Sequence, residues 1–342
     1  MSTESLTWLN RNVLVGFTAK RGNAWHWKAS EQGDEPNHYT GAIPVGDVLR
    51  RLFAWHAIER PIFVGDFTEG QVQAADYKAV CADDTGDILG IFKQGYVPHQ
   101  YDEWLLENVA TLFDTSSTDL GIASAGLLKN RAVAWVQIET PESISTPEGV
   151  DFRPFFTAAT SLNGDLSSTY QPGVQAVVCD NTLSAALGEK VQRLKIRHSK
   201  KSLGRITDAR EALGIIFQVA DLFSEQLTEL CNWKVSTAEW QRLLDLSVPV
   251  PEKEGRGRTI AERKRESIDN LYRHDQRVTP WAGTAFGALQ AFNTYAIHLA
   301  PVKGAQRAER VQYAALTGQI AKADAQVILD LSQVTDRQLV GV

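Results

Sequence analysis

The chain has 342 residues, 43% of them hydrophobic and 22% charged, the make-up of a folded soluble protein with one large or two ordinary domains. No apolar run reaches the ~18 residues of a membrane span, and the polar start MSTESLTWLNRN lacks the apolar core of a signal peptide, so a cytoplasmic protein is expected. A net charge of −6 confines any nucleic-acid contact to a local patch.

Residues 1–74 form a segment rich in Trp, Gly and Pro. Within it Asp47 to Ala57 reads as a short amphipathic helix, with Val48, Leu49, Leu52, Phe53 and Trp55 near one face. Residues 75–247 read as an α+β core domain. Tyr77 to Ala82 and Ile88 to Lys93 are expected strands, joined by a hairpin turn at Asp83, Asp84, Thr85 and Gly86. Tyr101 to Phe113 follows at helical spacing, with Trp104, Leu105, Val109 and Leu112 inward. Leu120 to Leu128 and Ala132 to Glu139 are strands around a tight Lys129-Asn130-Arg131 turn. Arg153 to Ser161 and Ser167 to Tyr170 make another hairpin on Asn163-Gly164-Asp165, since Asn-Gly favours tight hairpins.

Val174 to Leu187 is read as helical, and Ile206 to Trp233 as a long amphipathic helix with apolar residues at three- and four-residue steps. Ser236 to Leu244 is a short helix capped by Ser236 or Thr237. The stretch VPVPEKEGRGR makes 248–259 a linker. Residues 260–342 form a helical C-terminal region, in pieces near Ile260–His274, Ala282–His298 and Ala305–Leu331. Hairpins imply a mostly antiparallel sheet with helices packed on one face, an α+β fold, followed by the helical region.

Few residues suggest bond-making chemistry. Cys81, Cys179 and Cys231 are scattered, which argues against a disulfide framework and a zinc knuckle. The Cys179-Asp180-Asn181-Thr182 cluster lacks a histidine at recognisable spacing and reads more simply as a cap or turn. The seven histidines form no HxxxH or HxH pattern, so no metal site is expected. Neither GxxxxGK[ST] nor a GxGxxG after a strand occurs, so no nucleotide cofactor is expected. Asp83, Asp84 and Asp87 share one turn and lack the separated placements of a two-metal nuclease.

Charge is more informative. Residues 190–210 carry eight Lys or Arg against one acid, Asp208. Arg193, Lys195, Arg197, His198, Lys200, Lys201 and Arg205 are the candidate nucleic-acid contacts. Lys195 and Arg197 alternate with Leu194 and Ile196, so a strand would put both charges on one face and let them follow phosphates. The competing reading is a solvated basic edge strand that discourages aggregation. Trp25, His26, Trp27, His38 and Tyr39 form an aromatic cluster, either a stacking surface or a small satellite core. Arg256, Arg258, Arg263, Lys264 and Arg265 are nearly offset by Glu252, Glu254, Glu262 and Glu266, although Gly255-Arg256-Gly257-Arg258 reads as a flexible segment able to order on phosphates.

Four phrases in order then carry a resemblance. Thr85-Gly86-Asp87-Ile88-Leu89-Gly90 leads to Gly95-Tyr96-Val97-Pro98. Val177-Val178-Cys179-Asp180-Asn181-Thr182-Leu183 follows, then Ile196-Arg197-His198-Ser199, and finally Gly283-Thr284-Ala285-Phe286-Gly287-Ala288-Leu289-Gln290-Ala291-Phe292-Asn293-Thr294-Tyr295. Over roughly residues 75 to 330 the chain resembles the phage- and plasmid-related proteins that carry domain of unknown function 932. At the N-terminus only Ala24-Trp25-His26-Trp27 echoes the Trp-His-Gly-Leu-Gly phrase of that family. The element order is similar to that of phage single-strand annealing proteins of the Red-beta type.

The leading expectation is therefore a non-enzymatic DNA-transaction protein that binds, and on this analogy anneals, single-stranded DNA. It would form a homo-oligomer that lengthens a positive groove. The alternative is a protein-interaction factor, with residues 260–331 docking on replication or recombination proteins of a host or mobile element. No membrane partner is expected.

Overall fold

The computed structural model describes residues 10–23, 27, 29–65, 70–107, 120–139, 143–147, 149, 151–176, 182–183, 194–196, 198, 223–302 and 307–337. The fold is α+β, with antiparallel sheets and a helical C-terminal region. Two compact units divide the chain. The first comprises Met1–Pro141, Phe155–Pro172 and Gln192–Ile216; the second comprises Glu142–Pro154, Gly173–Val191 and Phe217–Val342.

One sheet runs in the order β1 (Val13–Val15), β5 (Gly121–Leu128), β6 (Val133–Glu139), β8 (Asp151–Ser161) and β9 (Ser168–Ala176), with residues 155–161 of β8 and 168–172 of β9 in the first unit. The expected hairpins are its framework. Val133 pairs with Leu128 and Ser161 with Val133, so β6 is held on both edges. The β5–β6 turn uses Lys129, Asn130 and Arg131, all at positive φ (51°, 49° and 70°). Trp135 explains the glycine opposite it: a Cβ on Gly126 would lie 2.1 Å from the indole, so the ring covers bare backbone.

A second, three-stranded sheet joins β2 (Ala57–Val64), β3 (Val72–Ala82) and β4 (Ile88–Lys93), all antiparallel. Gln100 fastens its first strand: its amide accepts from the Ala57 N–H at 2.9 Å and donates to the Ala57 carbonyl at 3.0 Å. Helix α1 (Val45–Leu52) buries Val48 and Leu52. Phe53 and Trp55, just beyond it, are buried as well, whereas Leu49 is 41% exposed and faces away from the core. A π-helical turn at Asp102–Glu107 buries Trp104, Leu105 and Leu106. These side chains join Leu14, Val80, Ala125, Val136, Phe156 and Tyr170 in one core.

In the second unit β7 (Ile144–Ser145) pairs with the start of β8, and β10 (Thr182–Leu183) with the end of β9. The helix expected over 174–187 is thus corrected. Residues 174–176 continue β9 and Thr182-Leu183 pairs back on Gln175 and Val174, since a β-branched run beside Gly173 suits a pleated ladder better than a helix. The rest of that stretch lies outside the described residues, as do 206–222.

Helix α2 (223–232) buries Phe223, Leu227 and Leu230. Helix α3 (Thr237–Ser247) has the expected cap. The Ser236 hydroxyl accepts from Glu239 N–H, and the Glu239 carboxylate accepts from Ser236 N–H at 2.7 Å. Helix α4 (Arg256–His274) begins inside the expected linker, so Arg256, Gly257 and Arg258 form a helical first turn instead of a flexible phrase. Trp240 stacks on Tyr272 at 3.9 Å and donates to Asp269 at 2.7 Å. Thr284 caps the nearly wholly buried α5 (Ala285–Thr294), where Gly287 is required: a Cβ would sit 2.1 Å from the Trp281 carbonyl oxygen. The last expected helix is two, α6 (Arg307–Leu316) and α7 (Gln319–Thr335), because Gly318 takes a left-handed φ of 78° between them.

Candidate nucleic-acid interface

The basic run supplies a strand where alternation placed one. β11 (Leu194–Ile196) pairs antiparallel with β9, with Leu194 opposite Tyr170, Lys195 opposite Thr169 and Ile196 opposite Ser168. It has no further strand partner among the described residues. Lys195 therefore sits in an outer strand of the first unit. Arg193, Arg197, Lys200, Lys201 and Arg205 lie outside the described residues.

His198, two residues beyond β11, has a different place from the one its basic neighbours suggest. It is the centre of a column of parallel rings. Phe92 stacks on Tyr96 at 3.7 Å, Tyr96 on His198 at 5.0 Å, His198 on His99 at 3.9 Å, and His99 on Trp104 at 3.6 Å. Hydroxyls connect the two imidazoles. His99 Nδ1 meets Ser168 Oγ at 2.7 Å, Ser168 Oγ meets Thr160 Oγ1 at 2.7 Å, and Thr160 Oγ1 meets His198 Nε2 at 3.1 Å.

Burial of this column keeps both rings neutral. Desolvation lowers His198 to about 4, opposed by the Val97 backbone. Desolvation, with repulsion from His198 second, lowers His99 to about 3. Tyr96 is pushed up by the same burial and stays a phenol, whose hydroxyl donates to the Ser161 carbonyl at 3.2 Å. At neutral pH His198 thus adds no positive charge to the basic segment. Its ring instead anchors the backbone just beyond β11 to the body of the unit.

Two of the sequence phrases meet here. Tyr96 belongs to the first phrase and His198 to the third, about a hundred residues away, yet the rings are in contact. His99, Trp104, Thr160 and Ser168 were not among the sequence candidates. The only local hint was His99, three residues after Tyr96. The fourth phrase forms the buried helix α5 of the second unit and serves packing.

The other candidates resolve simply. Trp27 and His38 make an edge-on contact at 6.4 Å, and burial lowers His38 to about 4. Tyr39 accepts from Arg51 at 3.1 Å. Trp25 and His26 lie outside the described residues. Cys81 and Cys231 are buried thiols, and Cys179 lies outside the described residues. Among the described residues no three His, Cys, Asp or Glu side chains are grouped to hold a metal ion, and no helix is long and apolar enough to cross a membrane. The second unit contains a cavity of about 400 Å³ lined in part by Lys264, Tyr295, Arg310, Asp324 and Asp330. Its two acids are engaged within the unit, Asp324 by Asn293 and Asp330 by Ser247 and Gln326.

Comparison with known proteins gave one match. Residues 88–317, well over half of the chain, match the family model described as Domain of unknown function (DUF932). No curated protein and no solved structure matches the chain.

Proposed function

The chain belongs to the DUF932 family, and we propose that it binds single-stranded DNA without catalysing a reaction, through the basic segment centred on β11. The observation that carries this reading is the position of Lys195 in an outer strand, inside a run of eight cations against one acid in an otherwise acidic chain. A strand at a sheet edge presents its neighbours at regular ~3.3 Å steps, which suits a phosphate backbone followed in the extended form. Arg193, Lys195, Arg197, Lys200, Lys201 and Arg205 contact phosphates in this reading. His198 holds the segment in place instead of touching the ligand. Bases left accessible would permit annealing, in the setting of mobile-element replication or recombination, and a homo-oligomer would extend the groove.

The test is fluorescence anisotropy of a labelled single-stranded oligonucleotide at several salt concentrations, with the full chain and a K195Q/R197Q/K200Q/K201Q variant. Phosphate tracking requires affinity that falls steeply with salt, and loss of four contacts lowers the log–log slope by roughly 3 for single strands. Equal affinity and slope in a folded variant would remove the basic segment from the function. Absence of binding by the wild type at low salt would remove the nucleic-acid reading altogether.

A further inference from the structure

The cavity of about 400 Å³ in the second unit lies within the ~300–1,000 Å³ of small-molecule sites. One face of α7 forms its long wall. Ile320, Ala323, Asp324, Val327 and Asp330 fall at i, i+3, i+4, i+7 and i+10, and extend roughly 15 Å along the helix. Phe292 on α5, Ile297 in the π-helical turn that follows (Tyr295–Leu299) and Val311 on α6 supply the other apolar walls. The charges are sorted by depth. Asp324 and Asp330 are 3% and 7% exposed, whereas Lys264 is half-buried and Arg310 is exposed. Neutral donors hold the acids: Asn293 donates to Asp324, and Ser247 and Gln326 each donate to one oxygen of Asp330. A carboxylate accepts about four hydrogen bonds, so Asp330 is oriented and still has room for further donors. Neither cation makes an ion pair among the described residues. The Lys264 ammonium lies 5.8 Å from the centroid of the Tyr295 ring, and Arg310 donates to the Pro301 carbonyl at 2.6 Å.

Simple ligands fit this arrangement poorly. A hydrocarbon would set the buried acids against apolar atoms. An apolar anion would bring negative charge beside Asp324 and Asp330, and an apolar amine would have to pass Lys264 and Arg310. A ligand with N–H donors at one end and an anion at the other suits both ends of the cavity, and the rings of Phe292 and Tyr295 favour a flat body. We propose that the cavity binds a nucleoside monophosphate whose base carries N–H donors. The base lies against Phe292 and Tyr295 with its donors toward Asp330 and Asp324, and the phosphate meets Lys264 and Arg310. Guanine is the best match within that class, because its ring N–H and its amino group are parallel donors that suit one carboxylate. The site belongs to the second unit and does not depend on the β11 reading.

Isothermal titration calorimetry of the full chain tests this with guanosine monophosphate, guanosine, ribose phosphate and 1-naphthoate as probes. The nucleotide should bind at least about tenfold more tightly than each of the other three. K264Q/R310Q should bring it down to the affinity of guanosine and leave guanosine unchanged. A323L, at an exposed position on the α7 wall, fills the cavity and should abolish binding of both. D330N should weaken guanosine and its monophosphate by the same factor, about tenfold to a hundredfold. Circular dichroism establishes that each variant is folded, and A323L with K264Q/R310Q decides the matter where D330N is not. The proposal is overturned if the nucleotide fails to bind at millimolar concentration, or if ribose phosphate or 1-naphthoate binds as tightly. It is also overturned if nucleotide binding survives both A323L and K264Q/R310Q. Loss of that binding in the β11 charge variant instead would assign the nucleotide to the basic segment.

Discussion

The stacked histidines predict a stability that declines on the acid side of neutrality. His99 and His198 are neutral in the folded unit down to about 3 and about 4. In the unfolded chain an imidazole titrates near 6.5. A base whose folded pKa is depressed gives full stability above its unfolded pKa, and that stability is lost as pH falls below it, because only the unfolded chain takes up the proton. Between pH 7 and pH 5 His99 removes ~1.9 kcal/mol and His198 ~1.8 kcal/mol, so the pair removes ~3.7 kcal/mol, a large part of the 5–15 kcal/mol of an ordinary domain. The solvent access that His198 retains trims its share. Denaturant unfolding at pH 7 and pH 5, with the wild type and His198→Phe, measures the effect. Phe keeps the stack between Tyr96 and His99 but cannot be protonated, so the variant starts less stable by its lost Thr160 hydrogen bond and then loses only about half as much on acidification. Identical pH dependence in the two proteins would refute the reasoning. A proton NMR titration that found His99 or His198 near 6.5 would refute it independently.

Three further outcomes are expected. Gly287→Ala drives a Cβ against the Trp281 carbonyl and should destabilise the second unit by at least about 2 kcal/mol, seen as a lowered thermal midpoint. Ser236→Ala removes one half of the capping box of α3 and should cost about 1 kcal/mol in denaturant unfolding, with Ser236→Asp largely restoring it. Lys78→Met removes the cation of a pair in which Lys78 is buried and Glu59 is half exposed; because Glu59 can turn to water, the loss should stay below about 2 kcal/mol.

The hairpins were readable because their signals are local. Asp83–Gly86 and Asn163-Gly164-Asp165 mark turns by residue type, between runs that read as strands. The Ser236 cap was readable for the same reason. The strands β1 and β2 were not, because β1 has only three residues and β2 contains Pro61, which a single sequence reads as a break. The helix assigned over 174–187 failed because small residues suit either state, and pairing with β9 decides between them at 182–183. The site was half legible. Charge pattern found the basic strand, and resemblance singled out Tyr96 and His198. Nothing along the chain could show that a histidine amid lysines would face inward, since its partners Thr160, Ser168 and His99 come from separate segments.

The β5–β6 turn has a bearing on the order in which the first unit folds. Three successive left-handed residues without a glycine cost roughly 1–2 kcal/mol each, so this hairpin is a poor starting point although its strands are neighbours in sequence. The compensation comes from afar. The Arg131 guanidinium lies 4.0 Å from the Trp55 ring and pairs with Asp84 at 2.9 Å, and the Arg131 carbonyl accepts from the Tyr101 hydroxyl at 2.9 Å. Those partners offset the strain only once they are in place. The hairpin is thus expected to close late, after the α1 region and the β3–β4 turn are in position. Substituting Asn130 by Gly should accordingly slow unfolding or leave it unchanged where Arg131 is present, and speed folding most where Arg131 has been replaced by Ala.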